Sequence, residues 1–157
     1  MTSLLYLDQN YLSGIVKRKP AFRELEPVLR EAVARGAVAV PESEAHRVES
    51  AARPDLPLLE LLRELSGGLR LPDEPGPLER RLERQLERDF PERSPRPSDA
   101  VDLRTLAIVL PRCRLVTCDA FMLDLVRRTA LDVRFQCELF SGRRRDVDRL
   151  RRALQSL

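Results

Sequence analysis

The chain has 157 residues, 43% hydrophobic and 34% charged, a composition that allows one domain with a packed core and argues against wholesale disorder. Its 28 Lys and Arg against 25 Asp and Glu leave a formal net charge of +3, too little by itself to predict nucleic-acid binding. No apolar run approaches the roughly 20 residues of a membrane-spanning helix, and no secretion signal opens the chain. We therefore expect a soluble, cytoplasmic protein that binds no membrane.

Predicted strands and helices alternate in the first third of the chain. Short apolar runs predict strands at 4–7 and 37–40, and helical spacing predicts helices at about 10–16, 22–35 and 42–52. Gly36 closes the second helix and Pro41 ends the second strand.

Residues 53–98 differ in composition from the rest of the chain because they hold most of its twelve prolines. Helices are predicted at 57–66 and 77–90, followed by a linker at 91–97. The second helix carries an apolar stripe one residue wide, formed by Leu78, Leu82, Leu86 and Phe90. We interpret this stripe as part of a lid or arm, or as the contact of a homodimer.

The last third again alternates helix and strand. Ser98 is the predicted N-cap of an apolar helix at 99–110. The elements predicted after it are a strand at 114–117, a helix at 120–129, a fourth strand at 133–135 and a helix at 143–157. This alternation predicts an α/β domain with a parallel sheet covered by helices on both faces.

The single histidine and the three cysteines limit which metal sites and catalytic groups the chain can form. No CxxC pair exists, so a zinc site of the usual spacing cannot be assembled. Any catalytic dyad or triad would need His46 as its base. The cysteines are interpreted as buried, reduced thiols.

Acidic residues follow the predicted strands, where α/β proteins bind their ligands. Asp8 ends the first strand and Asp119 ends the third. The helix after the second strand and the helix before the third carry further acids: Glu42, Glu44, Glu49, Asp99 and Asp102. An Asp after a strand is also a common helix N-cap. Several carboxylates in one crevice repel each other, however, and a divalent cation would relieve that repulsion. Oxygen-only ligands favour Mg²⁺ or Mn²⁺.

Three segments resemble the PIN-domain nucleases, a family that includes the toxins of many bacterial toxin–antitoxin pairs. They are LLYLDQNYLSGI (4–15), VPESEAHRVES (40–50) and DAVDLRTLAIVLPRCRLVTCDAFM (99–122). The resemblance implies a three-layer fold with a parallel sheet of about five strands, and metal-dependent hydrolysis of phosphodiester bonds, usually of RNA. We expect one PIN-like domain over 1–157, with 53–98 as a helical, proline-rich insertion or arm.

The resemblance also implies roles for individual residues. The catalytic acids, in the family's order, are Asp8, Glu49, Asp102 and Asp119. The expected metal ligands are Asp8, Asp99, Asp102 and Asp119, where Asp99 replaces or assists Asp102. Glu42 and Glu44 compete with Glu49 as the second acid. Thr117 matches a hydroxyl position beside the site, and Ser43 follows the second strand.

For two further residues, the sequence allows either a supporting role in the site or a purely structural role. Asn10, with Gln9, orients the first acid or merely caps the helix. His46 shares a helix face with Glu42 or Glu49, and a lone helical histidine is more often structural than catalytic.

The sequence therefore predicts a Mg²⁺- or Mn²⁺-dependent endoribonuclease, with a toxin role and an antitoxin partner as further expectations. Arg47 and Arg104 are candidates for holding flanking phosphates. The alternative is a catalytically silent PIN-like module that binds RNA or a protein through the arm and the Arg-rich tail. The run 143–145 and the arginines after it either bind a polyanion or form the solvated face of the last helix.

Overall fold

Four parallel strands lie at the centre of the computed structural model, which describes residues 1–157. The strands are β1 (Ser3–Tyr6), β2 (Val38–Ala39), β3 (Leu115–Thr117) and β4 (Glu138–Phe140). Their order across the sheet is β2-β1-β3-β4, with Leu5 opposite Leu115 and Val116 opposite Leu139. Because every pair is parallel, each connection must cross over through helices, and all carboxyl ends lie at one edge.

Nine helices flank this sheet. They are α1 (Gln9–Val16), α2 (Pro20–Ala34), α3 (Glu44–Ala51), α4 (Leu58–Ser66), α5 (Leu78–Asp89), α6 (Pro97–Val109), α7 (Ala120–Thr129), α8 (Leu131–Phe135) and α9 (Arg144–Gln155). Leu5 and Leu7 belong to a core formed with α1, α2, α4 and α9. Tyr6 points into a second core with α5, α6 and α7. This alternation along one strand places a core on each face of the sheet.

The structure confirms an α/β fold with a parallel sheet between helices, but the sheet has four strands rather than about five. The strand predicted at 133–135 is wrong, because these residues form the end of the short helix α8. Val133 is 73% exposed, so its β-branched side chain marks no buried strand. Ala130 and Gln136 bound the helix with positive φ angles, and the fourth strand follows them.

Helix α6 begins two residues earlier than the sequence indicates. Pro97 is its first residue and Arg96 its N-cap, so the prediction of Ser98 as the cap is wrong. Proline fits this position because the first helical N–H needs no intrahelical acceptor. The Asp99 carboxylate accepts a hydrogen bond from the Arg96 N–H at 3.1 Å and so takes over the capping function.

The apolar stripe of α5 is packed inside the chain rather than on a free arm. Leu82 is fully buried in the second core, and its stripe neighbours pack against the same core. Helix α5 contacts α6 and α7, and α4 contributes Leu62 to the first core. The stripe therefore gives no basis for a lid or for a homodimer contact. No helix in the structure has both the length and the apolarity to cross a membrane.

Candidate active site

A cleft of about 360 Å³ opens at the carboxyl edge of the sheet. Its walls come from the turns after β1 and β3 and from helices α3 and α6. Four acids from these separate segments line it: Asp8, Glu49, Asp102 and Asp119. The structure thus brings together the four residues that the family resemblance assigns as catalytic, and we call this surface the acid cleft.

Asp8 and Asp119 occupy equivalent places in the fold. Each lies two residues after a strand and caps the helix that follows. The Oδ1 atom of Asp8 accepts the Tyr11 N–H at 3.2 Å, and that of Asp119 accepts the Met122 N–H at 2.8 Å. Neither Oδ2 atom takes part in a hydrogen bond within the chain. The capping role and a ligand role are therefore compatible, because each uses a different oxygen of the carboxylate.

Thr117 holds the Asp8 carboxylate in place. Its hydroxyl donates to Asp8 Oδ1 at 2.9 Å and accepts the Asp8 N–H at 2.8 Å. Thr117 is the last residue of β3 and is buried, so this pair joins the ends of two neighbouring strands. The hydroxyl that the resemblance assigns beside the site is therefore in direct contact with the first acid.

Glu49 and Asp102 enter the acid cleft from the helices on either side. Their carboxylates are half-buried and form neither a hydrogen bond nor an ion pair with the rest of the chain. The competing glutamates lie elsewhere: Glu44 is exposed, and Glu42 pairs with Arg70 at 3.7 Å. Of the three candidates for the second acid, only Glu49 lines the cleft.

No acid of the cleft has a cationic partner. None of the four takes part in an ion pair. By contrast, Glu42 and Asp146, two other acids with little solvent exposure, each have an arginine within 4 Å. The four carboxylates therefore place negative charge at this edge of the sheet that no ion pair neutralises.

Burial and mutual repulsion raise the pKa values of three of these acids. Burial raises the pKa of Asp8 to about 6 against the opposing hydrogen bond from Thr117. Burial, with the charges of Asp102 and Asp8 next in importance, raises the pKa of Glu49 to about 7. The pKa of Asp102 also rises to about 7, through burial and then the charges of Asp119 and Asp8. Each charged form is therefore destabilised in the metal-free cleft.

Asp99 lies outside the acid cleft, although the resemblance made it a possible ligand. It is buried and pairs with Arg93 at 3.2 Å. Burial alone would raise its pKa, but the hydrogen bonds from Arg93 and the Arg96 amide bring the pKa below its usual value. Asp102 is consequently the acid that α6 contributes to the cleft.

His46 and Ser43 hold the start of α3 rather than line the cleft. The Ser43 N–H donates to His46 Nδ1 at 3.0 Å, which makes Nε2 the protonated nitrogen that donates to the Leu7 carbonyl at 2.6 Å. The ring also stacks on Tyr6 with centroids 4.9 Å apart. His46 is fully buried, and this burial lowers its pKa. These contacts make it a neutral structural residue.

Further polar residues line the cleft: Gln9 and Asn10, predicted to orient Asp8 or to cap the helix, and Arg53, which was not predicted to lie there. Gln9 lines it beside Asn10, and both amide atoms of Gln9 are buried without a hydrogen-bond partner. Arg53 brings the only positive side chain to the lining. Arg104, predicted to hold a phosphate, instead pairs with acids of the preceding segment, Asp73 at 3.1 Å and Glu79 at 3.4 Å.

No protein-family model, no curated protein and no solved structure matches this chain. The chemistry of the acid cleft therefore carries the functional interpretation.

The donor set of the cleft suits a hard divalent cation. All four acids offer carboxylate oxygens, which Mg²⁺ and Mn²⁺ prefer. No group of three or more His, Cys, Asp or Glu side chains already forms a metal shell. The Oδ2 atoms of Asp8 and Asp119 and the carboxylates of Glu49 and Asp102 have no partner within the chain, so they are the oxygens that the cleft offers to a cation.

Proposed function

We propose that this chain is a Mg²⁺- or Mn²⁺-dependent endoribonuclease that hydrolyses RNA phosphodiester bonds in the acid cleft. The observation that carries the proposal is the set of four carboxylates in one cleft without a cationic partner. Raising the pKa values of clustered acids costs folding free energy, and such clusters occur mainly at functional sites. The order of the acids along the chain and the hydroxyl of Thr117 agree with the resemblance to PIN-domain nucleases.

The four acids differ in how firmly the chain holds their carboxylates. Asp8 and Asp119 are held by helix-capping bonds, so they provide fixed ligands for a cation. Asp102 is the third ligand, and Glu49 acts directly or through a water molecule. When bound, the cation would activate water for attack on phosphorus and neutralise charge on the phosphate and the leaving oxygen. Thr117 keeps Asp8 oriented throughout.

The direct test is cleavage of a panel of structured and single-stranded RNAs with Mg²⁺, Mn²⁺ or EDTA. We expect cleavage with either metal and none with EDTA. Asp8→Asn should lower the rate by at least about 100-fold, since it removes a charged ligand. Cleavage by Asp8→Asn at the wild-type rate would show that the assignment is wrong.

A matched pair on one helix controls for loss of charge alone. Glu49→Gln should lose cleavage, whereas Glu44→Gln, on the exposed face of α3, should retain it. A Mn²⁺ titration separates the nuclease from the silent module. Binding that is lost in Asp119→Ala supports the nuclease, and no binding by the wild type favours the module. The toxin role and the antitoxin partner stay predictions.

A further inference from the structure

A second concave surface of about 550 Å³ adjoins the acid cleft, between α7, the segment after β4 and the first half of α9. Four arginines line it: Arg127, Arg143, Arg145 and Arg149. We call it the arginine pocket. It contains part of the Arg-rich run for which the sequence left open a choice between a polyanion site and a solvated helix face.

The arginine pocket has a surplus of positive charge. Its two acids already have partners, Asp124 with Arg128 at 2.8 Å and Asp146 with Arg149 at 3.4 Å. The other three arginines of the pocket, at 127, 143 and 145, are exposed and form no ion pair. Three unpaired guanidinium groups on a concave surface can converge on one anion.

Two features of the framework support anion binding. Arg149 is held by a stacking contact over the Phe140 ring, 4.4 Å from its centroid, and by a bond to the Leu139 carbonyl. Helix α9 has 12 residues and no side-chain cap at its N-cap Arg143. The helix dipole therefore adds positive potential at this end of α9, opposed by the first-turn acid Asp146.

The arginine pocket and the acid cleft meet across the first turn of α7. Asp119 and Met122 line the acid cleft, whereas Ala120 and Leu123 line the arginine pocket. One helical turn advances about 5.4 Å, so a single extended strand can contact both surfaces.

We propose that the arginine pocket binds a backbone phosphate of single-stranded RNA adjacent to the phosphate held in the acid cleft. This inference rests on the proposed function, because the cleft supplies the neighbouring phosphate. Arginine forks match phosphate oxygens bidentately, and a flexible single strand can follow a basic groove. The pocket would thus set how substrate is positioned, while the acids perform the chemistry.

The test measures binding without cleavage. A fluorescently labelled single-stranded RNA is titrated in EDTA with wild type, with Arg127→Ala/Arg145→Ala and with the control Arg63→Ala/Arg84→Ala. The control removes the same charge from exposed positions, and Arg63 lies in the last turn of its helix as Arg127 does. We expect the pocket variant to weaken binding about tenfold and to reduce the slope of log K against log salt by about one. An effect no larger than that of the control would overturn the proposal.

Competitors identify the ligand chemistry. Inorganic phosphate and polyglutamate, at matched ionic strength, should displace the RNA poorly. Full displacement by phosphate would indicate a free-phosphate site, and displacement by polyglutamate as effective as by unlabelled RNA would indicate an acidic protein partner. Either result would overturn the RNA assignment.

Failure of this inference and failure of the nuclease proposal are distinguishable. If the wild type cleaves RNA but the pocket variant binds like the control, the pocket proposal fails alone. If the wild type cleaves nothing, while the pocket variant loses binding, the nuclease proposal fails alone. With Mg²⁺, the pocket variant should raise KM more than it lowers kcat, because its arginines lie away from the reacting phosphate.

Discussion

Replacing Asp102 by asparagine should stabilise the metal-free protein while abolishing cleavage. The Asp102 carboxylate is half-buried and has no cationic partner, and its charged form is opposed by burial and by Asp119 and Asp8. Asparagine keeps the shape of the side chain and removes the charge. Stability and activity should therefore change in opposite directions, as expected for a residue that serves a ligand rather than the fold.

The magnitude follows from the rise in the pKa of Asp102 from 3.8 to about 7. The folded state holds this proton more tightly than the unfolded state, so stability falls as pH rises. The penalty begins near pH 4 and is complete above about pH 7. At about 1.4 kcal/mol per pH unit the full shift corresponds to about 4 kcal/mol. Water in the open cleft screens part of it, so we expect a gain of about 2 kcal/mol.

Thermal unfolding in EDTA at pH 5 and pH 8 measures this effect. For a chain of this length, about 2 kcal/mol raises Tm by roughly 4–8 °C. Asp102→Asn should show that gain at pH 8 and less than half of it at pH 5. Glu87→Gln, at an exposed position away from the cleft and without an ion pair, is the control and should change Tm equally at both pH values. An Asp102→Asn gain that is equal at both pH values, or absent, would refute the reasoning about carboxylate repulsion.

Two further predictions concern the support of the cleft and the α5 stripe. Thr117→Val should lower cleavage by about 10–100-fold, because Asp8 loses its orienting hydrogen bond. Thr117→Ser should restore cleavage in the same assay, and equal activity of the two variants would contradict this role. Leu82→Ala should cost about 2–5 kcal/mol in denaturant unfolding, because the side chain is fully buried. Light scattering should show an unchanged mass for Leu82→Ala, since the stripe packs within the chain, and a fall in mass would indicate a dimer contact.

The sheet and most helices were predictable because their signals are local. A continuous apolar run such as Leu4–Leu7 has few alternatives to a buried strand, and helical spacing marks α2 and α7 well. The edge that carries Asp8 and Asp119 follows from parallel strand order alone. That part of the acid cleft was therefore accessible from the sequence.

Burial against distant partners was not predictable in the same way. The α5 stripe is narrow, but Leu82 is covered by α6 and α7, whose approach no local pattern encodes. Similarly, Asp99 and Asp102 lie on the same helix, and the sequence does not favour either of them over the other as a ligand. Only the ion pair with Arg93, six residues before Asp99, removes Asp99 from the choice.

The selection of Glu49 shows how a tertiary contact sets the site. Its phase on α3 is fixed by the helix start, where Ser43 and His46 bond to each other. Glu44 lies five residues before Glu49, which is about 140° around a helix of 3.6 residues per turn, so the two cannot share a face. His46 is anchored in turn by the Leu7 carbonyl, next to Asp8. The lone histidine therefore fixes the second acid relative to the first although it does not line the cleft.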